Sequence, residues 1–117
     1  MQKYLFLLLF ISPISYGDPW TREDSYRETI YLTLHIVDYA QTREIARNPN
    51  YYEQNMYLGK HPTVSQVDNY FSAMALAHIG VAYLLPDEWR APFQYVTIGV
   101  EVGAVAHNFS IGISARF

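Results

Sequence analysis

The 117-residue chain has no cysteine. That absence excludes disulfide staples, thiolate metal centres and cysteine nucleophiles. Charge is scarce too: Asp, Glu, Lys and Arg make up 16% of the residues, against about 25% in an average soluble domain. The 8 basic and 11 acidic residues give a net charge of −3, so no basic surface exists on which nucleic-acid binding could be built. No nucleic-acid partner is expected. What is abundant is apolar and aromatic matter, with hydrophobic residues at 50% and 11 tyrosines. The mean hydropathy of −0.05 hides a strong segregation along the chain.

Residues 1–17 carry Lys3, an apolar run from Tyr4 to Ile11, and a Pro13-broken end with Ser15 and Gly17 at the positions three and one before a cut. This pattern predicts a secretory signal peptide, or an uncleaved anchor if it is retained. An apolar core of about 11 residues falls short of the roughly 20 needed to cross a bilayer. Export implies a bacterial cell envelope, with the inner membrane expected and the periplasm or outer membrane as alternatives.

Residues 18–117 read as a single all-α domain, with helices over about 25–47, 64–85 and 92–113. In the first, Glu28, Tyr31, His35, Asp38 and Thr42 form a polar stripe on an otherwise apolar cylinder. Thr63 to Gln66 is a capping-box pattern that starts the second. From Asn69 to Pro86 no residue is formally charged, so the second and third helices are expected to form a transmembrane hairpin within a small helical bundle. Arg90, beside Asp87 and Glu88, reads as part of a polar turn, with Pro92 opening the third helix. Ala73, Ala77 and Gly80, and the Gly99-x-x-x-Gly103 spacing, are expected at helix contacts. A competing pattern alternates Phe109, Ile111, Ile113, Ala115 and Phe117 with Ser, Gly and Arg, as in the last strand of an outer-membrane β-type protein.

Ionisable and amide groups inside apolar segments face a protein interior and have partners. The candidates are His35, Asp38, His78, Glu101, His107 and Asn108, with Gln94, Glu101 and Asn108 sharing one helix face. These residue types suit a divalent metal or a proton relay. They serve equally as interhelical pairs, His35 with Asp38 and His78 or His107 with Glu101. No His-Glu-x-x-His or other catalytic motif is present, so no catalytic residue is assigned and no cofactor is required.

Asp38 and Thr42, followed by Glu53-Gln54-Asn55 and Leu58-Gly59, resemble a pattern in uncharacterised families of small bacterial and phage polytopic membrane proteins. The resemblance singles out Asp38, Thr42, Glu53 and Asn55 and implies a membrane location without an activity. The expectation is a small integral membrane protein of a bacterial or phage envelope, with a structural or interaction role. Its partners would be the lipid bilayer and a second copy or another envelope protein. A membrane-embedded metal- or proton-binding protein or enzyme is the alternative.

Overall fold

A computed structural model describes residues 19–115 and 117 of the chain. The expected signal peptide, residues 1–17, lies outside the described residues. The rest folds into α1 (Arg22–Arg47), α2 (Val64–Leu84) and α3 (Asp87–Ser110), a small all-helical bundle without a strand among the described residues. α1 begins three residues earlier than its apolar pattern, because Thr21 and Asp24 form a capping box of their own. The Thr21 hydroxyl accepts from the Asp24 amide at 3.2 Å and the Asp24 carboxylate from the Thr21 amide at 2.9 Å. At α2 the Thr63–Gln66 box forms as its sequence predicts, with bonds of 2.9 and 3.1 Å.

α3 starts at Asp87 instead of near Pro92, because Leu85 and Pro86 alone make the turn and the acidic Asp87 and Glu88 suit a helix N-terminus. Pro92 therefore sits inside α3. The alternating stretch from Phe109 is no strand. Phe109 and Ser110 finish the helix, and Gly112, at φ 92°, takes the left-handed turn. That turn lets the Ile113 amide reach the Asn108 carbonyl at 2.9 Å and buries the Ile113 side chain.

α2 and α3 each dock on α1 and touch one another sparingly. The expected small helical bundle is present, but among the described residues no helix is long and apolar enough to cross a membrane, so hydropathy alone does not support the expected transmembrane hairpin. The small residues are also placed otherwise than expected: nothing lies within 4 Å of a Cβ built at Gly80, Gly99 or Gly103, so none of them is a close helix contact.

Polar and apolar residues are inverted relative to an ordinary core. α2 turns Val67, Phe71, His78 and Ala82 inward, and α3 turns Arg90, Gln94, Glu101 and Val105 inward, each set spaced by four and seven. Arg90, Gln94 and Gln41 are 0% exposed, whereas Leu76 is 72% exposed and Val96 and Val100 are 65% exposed. Polar side chains fill the inside and apolar ones cover much of the outside.

Candidate functional site

The inward-facing polar groups fall into two sets, separated by a column of rings. Phe93, His78 and Tyr31 stack with centroids 4.6 and 3.5 Å apart, and His35 and Phe71 continue the column at 5.4 and 4.8 Å.

At the Arg22 end the groups saturate one another. Arg90, at the first turn of α3, donates to the carbonyls of Ala82, Tyr83 and Leu85 at 2.7, 3.2 and 2.9 Å, satisfying the orphan acceptors at the end of α2. The same guanidinium donates to Asp24 of α1 at 2.9 Å, so one side chain joins all three helices. Burial pushes the Asp24 carboxyl up, but the Thr21 amide and hydroxyl and the Arg90 guanidinium outweigh it and hold it below its ordinary value. Arg27 also pairs with Asp24 and donates to Gln94 at 2.7 Å. Gln94 donates in turn to Glu28 at 3.0 Å, and Glu28 accepts from His78 Nδ1 at 2.7 Å. His78 Nε2 lies 2.8 Å from the Thr97 hydroxyl, whose proton is directed at the backbone carbonyls of Phe93 and Gln94.

Beyond the ring column a cavity of about 580 Å³ opens between the helices. His35, Asp38, Thr42 and Glu101 line it from the helices, with His107 and Asn108 near the end of α3 and Glu53 and Asn55 on the connecting loop. His35 Nε2 donates to the Phe71 carbonyl at 2.9 Å, and its Nδ1 faces Glu101 at 3.3 Å. The Glu101 and Asp38 carboxyls both line this cavity, so two acidic groups share one partly enclosed space. Thr42 donates to Asp38, at 2.8 Å to its carbonyl and 3.2 Å to its carboxyl. Below, Asn108 donates to Gln41 at 3.1 Å, and Gln41 donates to the Val105 carbonyl at 3.3 Å. Outside the cavity, hydrogen bonds from Tyr39 and Arg43 hold the Asp68 carboxyl below its ordinary value.

The loop bordering the cavity gives the Glu53-x-Asn55 and Leu58-Gly59 pattern a physical basis. One Glu53 oxygen accepts from the amides of Gln54 and Asn55 at 2.9 and 3.1 Å, and the Asn55 side chain accepts from the Tyr57 amide at 2.9 Å and donates to the Tyr70 hydroxyl at 2.9 Å. Gly59 closes the turn at φ 79°.

Of the residues singled out in the sequence, His35, Asp38, Thr42, Glu53, Asn55, Glu101, His107 and Asn108 meet at the cavity, and His78 does not. The interhelical pairs are His35 with Glu101 and His78 with Glu28, in place of His35 with Asp38 and His78 or His107 with Glu101. Among the described residues no three His, Asp or Glu side chains converge as a metal ion needs. Sequence reasoning missed Arg90, which reads as a solvated turn residue; a lone Arg within five residues of the last apolar turn of a helix is the signal that was there. Comparison with protein-family models, curated proteins and solved structures finds no match, and the geometry alone carries the functional assignment.

Proposed function

We propose that this chain is a small bilayer-embedded helical-bundle protein of a bacterial or phage envelope, with a structural or interaction role. The observation that supports it is the inverted distribution of side chains. α1 exposes no charged side chain between Arg27 and Arg43, α2 none between Asp68 and its end at Leu84, and α3 none between Glu88 and His107, where Asp38 alone is partly accessible through the cavity. At 1.5 Å per residue these stretches span about 22 to 27 Å. That is close to the roughly 30 Å of bilayer hydrocarbon.

The rims on either side are polar and aromatic. Arg22, Glu23, Asp87 and Glu88 mark one, with exposed Tyr26, Tyr83, Trp89 and Tyr95 beside them; Arg43, Arg47, Lys60 and Asp68 mark the other. Aromatic rings at such a boundary match the headgroup region. Hydropathy averaged along each helix is low because the sum includes His78, Gln94, Glu101 and Asn108, which turn toward neighbouring helices and not toward lipid. A helix that shares its polar groups with two neighbours needs apolar residues only on its outer face. Carbonate extraction of membranes from expressing cells tests the proposal: the chain stays in the pellet if it is embedded, and its release into the supernatant overturns the assignment.

A further inference from the structure

We infer that the cavity between α1, α2 and α3 is a binding site for an organic ammonium ion, an amine that carries an apolar or aromatic body. Charge balance supplies the first reason. At the Arg22 end each buried carboxylate has a cationic or imidazole partner, Asp24 with Arg90 and Arg27, and Glu28 with His78. Among the described residues, the cavity wall sets Asp38, Glu53 and Glu101 against His35 and His107 with no Lys or Arg, and His35 pairs with Glu101. The wall therefore carries a surplus of carboxylate in a partly enclosed space, where an opposite charge is most effective.

Shape and lining supply the second reason. A volume of about 580 Å³ lies within the roughly 300 to 1,000 Å³ of small-molecule sites. Tyr52 and Tyr70, which stand outside the stacked column, line the cavity with aromatic rings, the kind of surface that attracts an ammonium. Met74, Val100, Ala104 and Ile111 offer an apolar wall for the body of the molecule. A bare metal ion fits less well, since no three His, Asp or Glu side chains converge among the described residues. An ammonium arriving in the cavity meets the Asp38 and Glu101 carboxylates, whose oxygens accept its hydrogen bonds.

The inference stands on the cavity and not on lipid embedding, so the two fail separately. Calorimetric titration of the full chain in uncharged detergent micelles, with 2-phenylethylamine, 2-phenylethanol and phenylacetate as probes, tests it. The amine is expected to bind at least about ten-fold more tightly than the alcohol, with phenylacetate weakest. Glu101→Gln should abolish the preference for the amine while binding of the alcohol persists, which establishes that the cavity is intact. Glu53→Gln keeps the acceptor used by the loop amides and should weaken the amine alone, several-fold. Equal binding of amine and alcohol, preference for phenylacetate, no amine binding up to about 10 mM, or displacement of the amine by submillimolar Zn²⁺ or Mg²⁺ overturns it.

Discussion

The two ends of the bundle are made from the same residue types and treat them in opposite ways. At the Arg22 end, Asp24, Glu28, Arg90 and Gln94 are each within hydrogen-bond distance of partners on other elements. At the Arg47 end, Asp38, Glu53 and Glu101 line a cavity of about 580 Å³. A buried ionic group whose partners are complete holds helices in place; one that faces a cavity has bonding capacity to offer a ligand. The difference arises from chain geometry. α2 and α3 are joined by Leu85 and Pro86 alone at the sealed end, whereas a long loop, with Tyr51 to Pro62 at its centre, separates α1 from α2 at the open end.

Breaking the sealed end should cost most. Arg90→Leu leaves the last carbonyls of α2 without their donor and takes the Arg90 partner from Asp24, and a loss of about 3 to 5 kcal/mol is expected, read from denaturant unfolding in detergent. Glu28→Gln removes the charged partner of His78 and should cost about 1.5 to 3 kcal/mol by the same measurement. Gly112→Ala forces a β-carbon into a left-handed turn; the nearest atom, the Tyr51 hydroxyl at 3.9 Å, leaves room, so the cost is the backbone strain of about 1 kcal/mol. The chemically identical swap at the open end, Glu101→Gln, should stay within about 1 kcal/mol of the parent, because it removes one of several carboxylates that share the cavity wall. Equal losses for Glu28→Gln and Glu101→Gln would erase the distinction between the ends.

Acid sharpens the same comparison. The Asp24 carboxyl lies below its ordinary value when folded, so its contribution is complete above the unfolded value near pH 3.9 and is lost as pH falls through the folded one. Unfolding at about pH 3 should therefore begin with amides of the first turn of α1 and of Arg90, followed by hydrogen exchange. Asp24→Asn should flatten that dependence.

Much of the helical plan was legible. The Thr63–Gln66 box and the stripe from Glu28 to Thr42 are local patterns, and local patterns set α1 and α2. The shared face of Gln94, Glu101 and Asn108 follows from helix period, and all three point toward α1. What was not legible depends on pairings far apart in sequence. Arg90 is fixed by α2 carbonyls and Asp24, 66 positions away, and His78 finds Glu28 across 50. Gly99 and Gly103 have the spacing of a helix contact but make none, because the side of α3 that packs on α1 is set by Arg90, Gln94 and Glu101. The alternation from Phe109 to Phe117 could not extend into a strand once the left-handed Gly112 had folded Ile113 back on the helix.

The absence of cysteine makes the central claim directly measurable, since any single introduced cysteine can carry a nitroxide. Labels at Leu76, Val96 and Val102, on the apolar outer face, should in lipid vesicles be relaxed strongly by oxygen and weakly by a water-soluble nickel chelate. A label at Glu88, on the charged rim, should give the reverse. If the three outer-face labels meet the nickel chelate as freely as Glu88 does, the bundle is not embedded in lipid and its inverted surface needs another explanation.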